Sequence, residues 1–347
     1  MPKSNNTTLA MLASLTLSWT IFASACSGSG SSTSSSGSST SATATAASGA
    51  IATTSQAAQS PIDSAPYSVS VPDSINPISP NTIPIGDGQV TTTMPQVGYV
   101  YVCHTASKPG GRSLSQLPWV NTTTNTWDSQ SKIHVEGDVS WPTAKFTVTL
   151  TGTQRILYTN DLPMGHGTGV FPIQPSDPAY TYDTNPNSIL SQNITASVPQ
   201  MPEIAARPTC LPMGPIGVLA DGVVLFNALD ADDRDGVVHE VLDAACDGHP
   251  QSKGIYHHHD VPSCLMSKAG GADTSTLIGY AFDGFGIYIE KDRNGNLLTN
   301  ANLDSCHGRT STVMWDGKPT MMYHYDATLE YPYTVGCFMG TPSTPTL

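Results

Sequence analysis

The chain has 347 residues, a formal net charge of −13, 38% hydrophobic residues and only 12% charged side chains. That charged fraction is about half of the usual share, and Thr, Ser, Gly, Pro and Asn fill the gap, which suits short strands and turns better than long helices. No basic stripe accompanies the acidity, so nucleic acid is excluded as a partner, because neutralising phosphate needs clustered Lys and Arg.

The chain opens with Lys3 and an apolar run from Leu9 to Ala23, too short for a spanning helix, followed by Ala25 and Cys26. Residues 1–25 therefore read as a lipoprotein-type signal peptide, cleaved before Cys26. Acylation of the Cys26 thiol would make the membrane a partner through a lipid anchor. Ser27 after the cysteine favours the outer membrane or cell surface, with a periplasmic or plainly secreted protein as the alternative. Residues 26–65 are Ser/Gly/Thr-rich and nearly uncharged. They bury too little apolar surface to offset their ordering entropy and read as a flexible tether. The remainder, 66–340, is expected to be a single secreted domain, with no solenoid-like period.

Setting Cys26 aside leaves Cys103, Cys210, Cys246, Cys264, Cys306 and Cys337. An even number in an exported chain points to three disulfides. Sequence alone leaves the pairing open; local closure favours Cys246–Cys264, Cys306–Cys337 and Cys103–Cys210. No C-x-x-C occurs, which argues against a zinc ribbon or a thioredoxin-like pair.

Along the domain, "VGYVYVC" (97–103), "KIHVEGDV" (132–139), "KFTVTLTG" (145–152) and "RILYTN" (155–160) read as strands. Phe146, Val148 and Leu150 should share one face. "GPIGVLADGVVLFN" (214–227) reads as a hairpin around Asp221-Gly222, and "RNGN" (293–296) as another hairpin turn. "LDADDRDG" (229–236) lacks calcium-loop spacing and reads as a solvated turn. "HEVLDAAC" (239–246) fits a short helix or a strand. The fold class that follows is mainly β, a sandwich or barrel-like pair of sheets stapled by disulfides, with little helix.

Seven of the ten histidines lie between residues 239 and 324. In "GIYHHHDVPSC" (254–264) an extended chain places His257 and His259 on one face, and Tyr256 and His258 on the other. In "MYHYDATLEYPY" (322–333) His324 and Asp326 share a face opposite Tyr323 and Tyr325. If the two segments are neighbouring strands, His257, His259, His324 and Asp326 line one pocket suited to zinc or copper. The competing explanation is that these rings simply pack between sheets and bond to main-chain oxygens.

These strings, with "LIGYAFDGFGIY" (277–288) and "LDSCHGRT" (303–310), resemble the YHYH-domain family, exported and mostly bacterial proteins named for a Tyr-His-Tyr-His string. The resemblance spans about 214–340, and more loosely "TNDLPMGHGTGVFPI" (159–173) and "DTNPNSI" (183–189). It implies a cluster of Tyr-His strings in a secreted domain and supplies no activity. Here His258 stands where the family's string has Tyr, and Asp326 where it has His, which moves the second pair's preference from copper toward zinc.

Asp247 and Asp283, each before a glycine, are candidate catalytic bases beside a metal-activated water. His239 with Asp243, and His166 and His307 in glycine-rich loops, are outside candidates. No G-x-S-x-G, H-E-x-x-H or P-loop occurs, and whether the protein is an enzyme stays open. The alternative function is a non-catalytic surface module that binds a glycan, a small aromatic molecule or a partner protein through its Tyr, His and Phe side chains.

Overall fold

The computed structural model describes residues 75–105 and 110–347, with the backbone of Tyr67–Ser68. The signal peptide, Cys26 and the tether read from the sequence lie outside these residues. Everything described belongs to one compact unit, 55–347.

The N-terminal part contributes two-residue strands only, among them Ile83–Pro84, Val100–Tyr101 and Thr126–Trp127. "VGYVYVC" therefore keeps a short core of its expected strand. "KIHVEGDV" forms none; Val135 and Val139 make single bridges to Asp243 and Thr168, and Gly137 between them, at φ +133°, interrupts the extended path.

A three-stranded antiparallel meander follows: β1 (Phe146–Thr151), β2 (Gln154–Thr159) and β3 (Ile194–Pro199). β2 alternates partly exposed and buried residues, as a strand with one covered face must. The expected face of β1 is covered only at its start: Phe146 is buried, whereas Leu150 is 39% exposed, because β1 runs out past the core.

The main sheet holds the site. Its strands are β4 (Pro215–Leu219), β5 (Val224–Phe226), β6 (His249–Pro250), β7 (Tyr256–His258), β8 (Thr274–Ala281), β9 (Gly286–Lys291), β10 (Gly308–Trp315) and β11 (Lys318–Asp326). Their order is β6-β7-β5-β4-β8-β9-β11-β10, with Tyr67–Ser68 added beside β8. β4, β8 and β9 are buried on both faces almost throughout, which explains their continuous apolar runs. The fold is mainly β and layered, and no sheet among the described residues closes into a barrel.

That strand order is a palindrome, and it exposes a duplication. In each half an antiparallel hairpin turns at Asp-Gly, at Asp221-Gly222 and at Asp283-Gly284. The second strand of each hairpin then pairs in parallel with the string strand: Leu225 lies opposite His258, and Ile287 opposite Tyr325. At the centre Val218 pairs with Tyr280, Gly217 with Ala281 and Leu219 with Gly279, a register that maps onto itself when the halves are exchanged. The connecting turns match as well. The Asp230 carboxylate accepts the N–H groups of Asp232 and Arg234, and that of Asp292 accepts those of Asn294 and Asn296. A side chain at Gly248 would strike the Tyr256 ring, and one at Gly308 would strike Tyr323. Cys246–Cys264 staples the first half and Cys306–Cys337 the second, while Cys103–Cys210 ties the N-terminal part to the domain.

Three local expectations change. "HEVLDAAC" forms neither a helix nor a strand of its own: a four-residue helix, α1 (Gly236–His239), ends at its first residue, and Asp243 draws the N–H groups of Ala245 and Cys246 into a turn. "LDADDRDG" is a turn but not a solvated one, since Asp230, Asp233 and Asp235 are buried. The fold also runs past residue 340, because Thr346 bridges to Thr195.

Candidate metal centre

The antiparallel pairing of β6 and β7 sets His249 directly opposite His257. The extended chain brings His259 to the same face, so three imidazoles meet with one ring nitrogen each within 4.8 Å of the others. None of the three residues is more than 3% exposed. Phe226 stacks on His257 with ring centroids 3.9 Å apart and closes one side.

Main-chain carbonyls fix the tautomers. His257 Nδ1 lies 3.2 Å from Ile255 O, and His259 Nδ1 lies 2.6 Å from Asn227 O. A carbonyl oxygen only accepts, so both Nδ1 atoms carry the proton and both Nε2 atoms present lone pairs in the neutral ring. Those two Nε2 atoms are 3.1 Å apart. Burial first, then the neighbouring imidazoles, holds His249 and His257 well below the usual histidine range. His259 is pushed down to about 4, chiefly by burial. The cluster is thus three neutral nitrogen donors. Glu240 Oε2 approaches His249 Nδ1 at 2.7 Å, in ion-pair contact but off the hydrogen-bond line, and His249 Nε2 has no protein partner. A carboxylate behind a ligating imidazole is the arrangement that orients metal-bound histidines. The cluster lies in a cleft of about 530 Å³ that Arg112, Asn185, Phe226, Asp230, Arg234 and Glu240 help to line.

The opposite face of the string is structural. His258 Nε2 lies 3.0 Å from Asp221 Oδ2, and His166 Nε2 lies 3.3 Å from the same oxygen. Burial opposes ionisation of Asp221, but the two imidazoles outweigh it and hold the carboxyl well below its usual range. Tyr256 donates to Asp243 at 2.5 Å.

The four residues expected in one pocket do not meet. β5, β4, β8 and β9 separate β7 from β11, and at about 4.8 Å per strand that distance is several times too large for shared coordination. His324 and Asp326 instead gather with Glu290 of β9 in the second half, all three without measurable exposure. Burial, then the Glu290 charge, pushes the Asp326 carboxyl well above its ordinary range.

The two candidate bases sit in neither cluster. Asp283 is fully buried, accepting from the Tyr325 hydroxyl at 2.5 Å and from Gly340 N at 2.9 Å. Its oxygens hold the second string in place and have no reach to a substrate. Asp247 accepts from Ser263 N at 2.8 Å and lines a separate cavity of about 310 Å³ with Lys132, His134 and Asp260. Among the outside candidates, His239 bonds Asp87 and His307 bonds Thr328. Sequence reasoning missed His249, Glu240, Glu290 and Arg309. His249 was legible in one way: it occupies the place after the Gly of "CDGH" that Arg309 occupies in "CHGR".

The YHYH-protein family model matches residues 195–296. This part of the chain is a YHYH domain. The match runs from β3 through β9, so it takes in the whole three-histidine cluster and ends before the second string. Among curated proteins and among solved structures, no match to the chain is found.

Proposed function

We propose that the YHYH domain binds zinc or copper through His249, His257 and His259, at a site that serves the adjoining cleft. The observation that carries this reading is the pair of lone-pair-bearing Nε2 atoms facing each other at 3.1 Å. Two neutral imidazoles repel in that pose, and a proton shared between them requires an imidazolium that burial disfavours. A cation relieves the repulsion. Donors held about 2.0–2.1 Å from a tetrahedral zinc lie about 3.3 Å from one another, close to the separation found. A metal held by these three histidines would supply Lewis acidity to a group in the cleft. The chain's own residues then do the rest: Glu240 orients His249, and Phe226 keeps water from one side of His257.

We also propose that the protein is exported and anchored to the membrane through acylated Cys26. The apolar run before Cys26 and the three disulfides support this, since such bonds persist in oxidising compartments.

Elemental analysis of protein exported to a bacterial periplasm tests the first proposal. Stoichiometric zinc or copper is expected, lost from the first site in His257→Ala/His259→Ala while circular dichroism stays unchanged. A protein that contains no metal and unfolds on this double substitution would show that the rings serve only as core packing. Incorporation of labelled palmitate, abolished by Cys26→Ala, tests the second.

A further inference from the structure

We propose that the C-terminal half of the duplicated sheet holds a second, enclosed divalent-metal site made by Glu290, His324 and Asp326. This goes beyond the first site and stands or falls separately from it. The second string repeats the geometry of the first: His324 Nδ1 lies 3.2 Å from Met322 O, as His257 Nδ1 lies 3.2 Å from Ile255 O. His324 Nε2 is therefore the ring nitrogen left to face the two carboxylates.

The distances fit a metal site, and the buried unpartnered atoms distinguish it from an ion-pair cluster. His324 Nε2 is 3.4 Å from Glu290 Oε1 and 3.6 Å from Asp326 Oδ2. Charge-assisted hydrogen bonds run about 2.7–2.9 Å; histidine–carboxylate pairs of this molecule such as His239–Asp87 at 2.8 Å and His258–Asp221 at 3.0 Å keep near that range, while His166–Asp221 at 3.3 Å and His134–Asp247 at 3.6 Å do not. Neither contact of the second cluster makes a well-aligned hydrogen bond. Its spacing is that of donors about 3.3–3.5 Å apart around one tetrahedral ion. Accordingly His324 Nε2, both Glu290 oxygens and both Asp326 oxygens are buried without a hydrogen-bond partner. Buried carboxylates left in that state cost several kcal/mol.

Arg309 does not remove the need for a cation. It lies opposite His324 as His249 lies opposite His257, and its Nε reaches one oxygen, Glu290 Oε2, at 3.3 Å. Its contact leaves Glu290 Oε1 and both Asp326 oxygens without a hydrogen-bond partner. The donor set of one imidazole and two carboxylates is harder than the first site's three imidazoles, and its complete burial fits a structural ion that pins β9 to β11.

The test counts metal per chain after zinc loading and extensive dialysis. Two zinc ions are expected in the wild-type protein, one in His257→Ala/His259→Ala, and one in the isosteric Glu290→Gln/Asp326→Asn. One ion in the wild type and none in His257→Ala/His259→Ala overturns the second site. If His257→Ala/His259→Ala keeps both ions while Glu290→Gln/Asp326→Asn loses one, the second site stands and the reading of the first fails. Should either variant not fold, cobalt(II) titration of the wild type decides: saturation at two equivalents supports the second site, and saturation at one overturns it.

Discussion

The two halves of the main sheet share a backbone plan and differ in what they place on it. In the first half the face that gathers donors carries His249, His257 and His259 beside a cleft. In the second, the same positions carry Arg309, His324 and Asp326, with Glu290 brought in from β9, and all of it closed from solvent except part of Arg309. Beneath each string a carboxylate from the Asp-Gly turn grips the residue after the Tyr-His pair: Asp221 holds His258 and Asp283 holds Tyr325. The scaffold is thus held constant by buried Asp contacts, while the donor face is free to diverge. The difference teaches which residues keep the sheet and which choose the ion.

The largest effect should come from breaking the conserved plan itself. Asp221→Ala leaves His258 buried without its counter-charge, a loss of about 3–5 kcal/mol. Asp283→Ala leaves the Tyr325 hydroxyl and the Gly340 and Phe285 N–H groups unpaired, at about 1–3 kcal/mol each. Urea unfolding of the two variants compares the halves, and both should lose several kcal/mol at neutral pH. Because the folded Asp221 pKa is depressed, its contribution is present above the unfolded value of 3.8 and disappears as pH falls below it.

Next in size is the orientation of the first site. Burial, then the Asp183 and Asp230 charges, pushes Glu240 up to about 8; Glu240→Gln keeps the shape of the side chain but removes the carboxyl that a bound cation would ionise behind His249, and metal affinity should fall roughly 10–100-fold with the fold intact. Competition with a chromophoric chelator measures this. A smaller effect, of opposite sign, tests the comparison from the other half: Arg309→His copies the first half's donor into the second and should raise zinc affinity there several-fold. A fall would mean that Arg309 is essential to the enclosed cluster.

A further effect appears only in acid. His307 is buried in the second half with its pKa pushed down to about 3, against 6.5 when exposed, and burial is the dominant cause. The unfolded chain takes up a proton below pH 6.5 that the folded chain refuses. Stability from this residue is therefore complete above pH 6.5 and declines toward pH 3, by about 1.4 kcal/mol per pH unit. His307 has φ +68°, a conformation Asn tolerates, so His307→Asn should flatten the fall in melting temperature between pH 6.5 and 5.

Much of this architecture was legible in the sequence. The Asp221-Gly222 turn announced its hairpin, the i, i+2 rule put His257 with His259 and His324 with Asp326, and local closure gave the disulfide pairs found. What failed depended on distant chain. No periodicity says that β5, β4, β8 and β9 lie between the strings, and the parallel pairing of β5 with β7 is set by a crossover of more than twenty residues. His249 was passed over because its strand is two residues long and shows no pattern. Asp283 and Asp247 drew attention as acidic residues before glycine, but that spacing reflects turn geometry: Asp283 is buried in the scaffold, and Asp247 accepts from Ser263 N beside a separate cavity.

Anomalous diffraction at the zinc edge from crystals of the zinc-loaded protein addresses the central claim most directly. The account predicts a peak about 2.0–2.1 Å from His257 Nε2 and His259 Nε2 and from one ring nitrogen of His249. Density for those rings with no anomalous peak between them, and each nitrogen bonded instead to water or protein, would contradict it.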